Sequence, residues 1–202
     1  MLGLPQSTEV KRPLPKAQLY KRFDWKSSQR DSFDGEVSRL DFINWIAPRT
    51  LPAIAEGAEV KEIFVIEVSL KSRDFDPNNI VLLAKSIPQR VVYLVRFEKE
   101  YRLAVYHTKL FITDWQSISN ISSLLIINCL NLDAAWEAIV SSIGNFFVGQ
   151  ENSLTEQIKI DAEHTKVEKQ LAALEKRMNT TRQPRRKREL FNEIKKLKSL
   201  LN

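Results

Sequence analysis

Three stretches between Ile63 and His107 leave the backbone few choices. Ile63-Phe64-Val65-Ile66-Glu67-Val68-Ser69-Leu70 puts Phe64, Ile66, Val68 and Leu70 on one face and Val65, Glu67 and Ser69 on the other, the period of a strand. Asp76-Pro77 then offers a helix start, with Asp as the cap and Pro at the first helical position. Ile80, Leu83, Ala84 and Ile87 follow at helical spacing and stop at Pro88. Val91 to Phe97 reads as a second strand, and Tyr101 to His107 returns across the polar turn Glu98-Lys99-Glu100 as its hairpin partner. The order strand, helix, strand, strand predicts an α+β fold: a mixed β-sheet core with flanking helices. The strand–helix–strand part would cross over right-handed if its strands are parallel neighbours.

The flanks are read around that core. Residues 1–35 look like an N-terminal helical arm, with one helix from about Pro15 to Phe23 and a second from Ser28 towards Phe33. The pair Asp34-Gly35 would end the second, and Tyr20, Phe23 and Trp25 supply aromatic anchors. Val37 to Ile46 is rich in β-formers but alternates only in part, and Pro48 and Pro52 stop any regular element after it. Thr113 to Ser123 reads as a loop. Asn131-Leu132-Asp133 caps a helix through Trp136, Ile139, Val140 and Ile143, ended by Gly144. Together these make an α+β domain over residues 1–149, followed by a linker at Gly149-Gln150-Glu151-Asn152.

Beyond the linker the pattern becomes heptad-like. Ile160, His164, Val167, Leu171, Leu174 and Met178 recur at alternating spacings of four and three. After a break at Thr180–Pro184, Leu190, Ile194, Leu197 and Leu201 do the same. Two such seams joined by a Pro-containing turn predict a coiled-coil-like antiparallel helical hairpin over residues 153–202. This segment holds 13 Lys and Arg against seven Asp and Glu, whereas residues 1–152 carry 18 of each sign. The formal net charge of +6 therefore sits in the final quarter of the chain, which points to a surface that meets phosphate or an acidic partner.

Composition excludes several classes. With 43% apolar and 28% charged residues over 202 positions, the chain can bury a core and is not disordered by composition. The apolar run Ser123–Leu132 is broken by Asn128 and Asn131 and is far short of the roughly 20 residues that span a bilayer, so no membrane association is expected. No basic segment followed by an apolar one opens the chain, so no signal peptide is expected. The single Cys129 rules out an intramolecular disulfide and fits a reducing cytoplasm.

With the elements in place, the chain resembles, nearly end to end, a bacterial family catalogued as domain of unknown function 4391. The resemblance rests on Met1-Leu2-Gly3-Leu4-Pro5, Lys71-Ser72-Arg73-Asp74-Phe75-Asp76 and Leu103-Ala104-Val105-Tyr106-His107-Thr108-Lys109-Leu110. It rests also on Leu130-Asn131-Leu132-Asp133-Ala134-Ala135-Trp136-Glu137 and on the Gln183-Pro184 turn. The resemblance implies no reaction. It implies an accessory role beside helicases and adenine-type DNA methyltransferases of restriction-like or phage-defence loci, with such a protein as partner and DNA as a further one.

Four sets of residues are candidates for a site. Arg182, Arg185, Arg186, Lys187 and Arg188 place five bases around the hairpin turn. They suit a phosphate clamp, a dock for an acidic protein surface, or a solvated turn. His107, with Thr108 and Lys109, ends a strand where polar residues often face a cleft; it would be a general base or phosphate contact, or a packed histidine. Glu67 and Lys71, with Asp74 and Asp76 following, resemble the acid-and-lysine signature of metal-dependent nucleases, but the spacing departs from it. The alternative is a half-buried Glu, an exposed Lys and a helix-capping Asp76. His164 in the seam would set helix register or sense pH. Two histidines and one cysteine lie too far apart for zinc spacing, and five glycines build no phosphate loop. Neither a metal nor a cofactor is expected. The reading that follows is a non-catalytic adaptor, with a divergent nuclease or a purely structural oligomerisation module as alternatives.

Overall fold

Five consecutive residues, Val91 to Val95, are buried in strand β4 (Arg90–Phe97). A strand shows that pattern when both of its faces are covered, and the computed structural model shows how. It describes residues 2–117, 125, 127, 129–146, 153–181 and 183–198. Contacts divide the chain into two compact units, residues 1–147 and 148–202.

The first unit runs β1 (Glu9–Pro13), α1 (Lys16–Arg22), α2 (Ser27–Glu36), β2 (Val37–Ile46), β3 (Ile63–Leu70), α3 (Asn78–Ser86), β4, β5 (Glu100–His107), β6 (Lys109–Ile112), β7 (Gln116–Ser117) and α4 (Leu132–Gly144). The strands form one mixed sheet in the order β1-β2-β3-β4-β5-β6, with β7 also pairing β5. β3 and β4 are parallel and joined through α3; the other pairs are antiparallel. The fold is α+β, with the strand, helix, strand, strand order expected at its centre.

One face of the sheet is covered by α1, α2 and α3. Leu19, Trp25, Phe33, Ile80 and Leu83 from the helices and the loop at Trp25 share a buried cluster with Leu40, Ile66, Val68, Tyr93, Val95 and Ala104. The opposite face carries Val65, Val92 and Val105, all fully buried, because strand side chains alternate. On that face α4 packs against β5 and β6, with Leu132, Ala135, Trp136 and Val140 buried.

Local signals hold at the helix ends. The Asp76 carboxylate accepts the Asn78 N–H at 2.9 Å, and α3 starts at Asn78 with Pro77 in the cap position at helical backbone angles, one residue later than expected. Asn131 caps α4 by accepting the Ala134 N–H at 2.9 Å, and the helix ends at Gly144 with Asn145 in the left-handed conformation at φ 53°.

Three expectations need correction. The N-terminal segment is not an arm: β1 pairs with β2, and Leu19, Trp25 and Phe33 lie in the core. Helix α2 runs through Asp34-Gly35 to Glu36, since Asp34 is held in place by Lys16 at 2.8 Å and Tyr20 at 2.7 Å. The stretch from Thr113 read as a loop holds the short strand β7 at Gln116–Ser117, which pairs with β5; Lys109 to Ile112, for which no element is expected, is a strand turned back onto β5 at Thr108, φ 60°. The partial alternation of Val37–Ile46 has a cause as well. The β2–β3 register shifts between Val37 and Arg39 and again between Phe42 and Asn44, and each irregularity moves the following side chains to the other face.

The second unit is an antiparallel helical hairpin, α5 (Leu154–Thr180) and α6 (Pro184–Lys198). Ser153 and Glu156 start α5 with a reciprocal capping box. Leu171, Leu190 and Ile194 are buried, and Lys198 pairs with Glu175 at 3.0 Å. The expected seam fails in its first half: Ile160 is 36% exposed and His164 is exposed. The reason is length. At a rise of about 1.5 Å per residue, α5 is about 40 Å long and α6 about 22 Å, so the described part of α6 meets only the later turns of α5. Leu201 lies outside the described residues, as does the linker 149–152.

One core group is paid no hydrogen bond. The Tyr93 hydroxyl is fully buried and has no partner among the described residues. Removing an unpaired buried hydroxyl costs nothing in lost bonding. Tyr93→Phe is expected to leave chemical-denaturation stability unchanged or to raise it by about 1 kcal/mol; a loss of similar size would show that the hydroxyl is satisfied.

Candidate functional site

Helix α6 opens on its own positive charge. Pro184 occupies the first helical position, where a missing N–H costs nothing, and the Lys187 N–H returns to the Gln183 carbonyl at 3.0 Å. Arg185, Arg186, Lys187 and Arg188 are thus helical residues rather than turn residues, and all four are exposed. Arg182 lies outside the described residues. No acidic residue stands in the first turn. Glu189 approaches Arg185 at 3.7 Å and Arg186 at 3.1 Å, exposed pairs that contribute about 0–1 kcal/mol each. The N-terminal end of a helix is already its positive pole, so side chains and backbone add. Arg185, Arg188, Asn192 and Lys195 follow one another at three- and four-residue spacing, which lines them along one side of α6.

In the body, the two longest strings of the family resemblance meet. His107 ends β5 and is 8% exposed. Its Nδ1 accepts the indole N–H of Trp136, on α4, at 3.2 Å. An acceptor at Nδ1 puts the ring proton of the neutral imidazole on Nε2. Burial lowers the His107 pKa, the Arg90 cation lowers it further, and Glu59 opposes them. Arg90 lies over the Trp136 ring at 5.6 Å. His107 is therefore a packed histidine joining the sheet to α4. Thr108, its neighbour, forms the one-residue turn, and Lys109 sits 4.9 Å from the Phe111 ring centroid.

The same helix pins the β2–β3 loop. Asp133 accepts backbone N–H groups from Ala58 at 2.6 Å, Glu59 at 3.2 Å and Val60 at 2.7 Å. Partial burial pushes its carboxyl up, but these three donors outweigh that and hold it below the usual range. A Cβ at Gly57 would run into this carboxylate, so the close approach of loop and helix requires glycine there.

Glu67, Lys71, Asp74 and Asp76 engage different partners. Glu67 faces Arg96 at 3.3 Å. Lys71 donates to the Asp34 carbonyl at 2.6 Å. The Asp74 carbonyl accepts from Ser72 at 2.7 Å, and Asp76 caps α3. Among the described residues no group of three or more His, Cys, Asp and Glu is placed to hold a metal ion, and no helix is long and apolar enough to cross a membrane.

The mixed sheet with helices on both faces, together with the basic hairpin, defines the class: an α+β protein with a C-terminal helical hairpin. The chain belongs to the family described as domain of unknown function (DUF4391), whose profile matches residues 2–201. No curated protein and no solved structure matches it.

The His107–Trp136 contact has a pH signature. The folded pKa lies below the unfolded value of 6.5, so below that value the unfolded chain binds the proton first and stability falls as pH falls. Unfolding followed between about pH 7 and 5, above the range where Asp34 and Asp133 titrate, is expected to show stability rising with pH. His107→Gln is expected to flatten that slope; an unchanged slope would assign it to another group.

Proposed function

We propose that this protein is a non-catalytic accessory protein of a bacterial nucleic-acid-processing system of the restriction-like or phage-defence kind. It acts in the cytoplasm, its body docks on a protein such as a helicase or DNA methyltransferase, and α6 contacts DNA phosphates without reading sequence. The observation that carries the reading is the ring of Arg185, Arg186, Lys187 and Arg188 at the positive end of α6, opposed by Glu189 alone in that stretch. Gathering cations at that pole opposes the helix dipole, and a bound phosphate removes the conflict. The side chains of Glu67, Lys71 and Asp76 engage separate partners, which supports leaving nuclease chemistry out of the proposal. The partner class comes from the family resemblance.

Phosphate contacts release condensed counterions, so binding is expected to weaken steeply with salt and to vary little with sequence. Replacing Arg185, Arg186 and Arg188 by Gln is expected to lower the slope of log affinity against log salt by about 0.9 per lost contact on duplex DNA. Folding should change little, because these side chains are exposed. A duplex titration across a salt series with both proteins tests this. An unchanged slope, or no binding by the parent protein at low salt, would move the charges to an acidic protein surface.

A further inference from the structure

β3 and β4, the parallel pair, end at Leu70 and Phe97 on the same edge of the sheet. The loop 71–77 and the start of β5 converge there, at the carboxyl ends of parallel strands where ligands of such sheets bind. Arg73, from the loop, lies over the Trp115 ring with its guanidinium carbon 5.6 Å from the centroid. Arg102, from β5, lies 5.1 Å from the same centroid and 5.9 Å from that of Phe75. Phe75 meets Trp115 edge-on, at 6.5 Å and 79°. One indole thus orients two guanidinium groups.

The two arginines differ in how they are satisfied. Arg73 is held by both oxygens of Glu100, at 2.7 Å and 3.3 Å, in an exposed pair of side chains 56% and 40% accessible. Arg102 is half-buried. Its Nε–H goes to the Thr113 carbonyl at 2.9 Å, and no carboxylate among the described residues forms an ion pair with it. Burial weakens its hold on the proton; Asp114 opposes this and Arg73 adds to it.

We propose that Arg73, Arg102 and Trp115 form an anion site that takes a phosphate group, distinct from the α6 bases and independent of their role. Planar guanidinium forks braced on an aromatic plate match phosphate oxygens in pairs. Glu100 occupies on Arg73 the place of such an anion, and an exposed pair of this kind is weak enough to exchange. A bound phosphate bridges the two arginines and gives the half-buried Arg102 a close ion pair, which no carboxylate among the described residues makes with it.

The test uses the full chain carrying the three Gln replacements in α6, so that only the body reports. The indole N–H signal of Trp115, assigned by its loss in Trp115→Phe, is followed by NMR during titration with inorganic phosphate and, separately, a short single-stranded oligonucleotide. A saturable shift is expected. Arg73→Gln and Arg102→Gln are each expected to weaken binding by about tenfold, the loss of a charge-assisted hydrogen bond. Glu100→Gln is expected to tighten it, which a purely structural role for these residues would not produce. The exposed Arg73→Gln keeps the test decisive if Arg102→Gln fails to fold. Tighter binding of the oligonucleotide assigns the site to a nucleic-acid backbone, and tighter binding of inorganic phosphate assigns it to a free phosphate ligand. No shift with either probe, or an affinity indifferent to both Arg73→Gln and Glu100→Gln, overturns the proposal.

Discussion

The parallel pair β3–β4 presents apolar side chains on both faces, so each face needs its own cover. On one side α1, α2 and α3 bury Ile66, Val68, Tyr93 and Val95. On the other, α4 packs against β5 and β6, with Val65, Val92 and Val105 buried on that face. The parallel arrangement demands a crossover, which α3 provides. Burial of this kind is the dominant favourable term in folding, and the N-terminal segment is drawn into the core because its Leu19, Trp25 and Phe33 complete the first cover.

The second cover is fastened by polar contacts at its rim. Trp136 of α4 donates to His107 at the end of β5, and Asp133 gathers three backbone N–H groups from the loop before β3. Both contacts join segments distant in sequence; His107, Trp136 and Asp133 lie in the strings that carry the family resemblance, whereas the Ala58–Val60 loop does not. The tie of His107 to Trp136 joins the end of β5 to α4 through the acceptor nitrogen of the imidazole.

Charge follows a different logic in the two units. In the body, Glu67 with Arg96, Arg39 with Asp41 and Arg73 with Glu100 pair opposite signs, and Arg102 stands apart as a half-buried cation on Trp115. In the hairpin, bases collect at the start of α6 faster than acids can answer them. Both places gather positive charge within a few residues.

Sequence alone determined the elements whose signals are local. The alternation of Ile63–Leu70, the Asp76-Pro77 start of α3, and the Asn131 cap and Gly144 end of α4 all depend on residues a few positions apart. So did the basic character of the final quarter, though not its placement on a helix rather than a turn. Tertiary structure decided the rest. The short β1 and β6 carry too few residues for a period to show and exist because β2 and β5 offer them an edge. The shifts in β2 register arise from its pairing with β3, which no stretch of β2 encodes by itself. The seam at Ile160 and His164 stays open because α6 is shorter than α5. The meetings of His107 with Trp136 and of Arg73 with Arg102 on Trp115 join residues separated by up to 42 positions, and only the folded sheet brings them within reach.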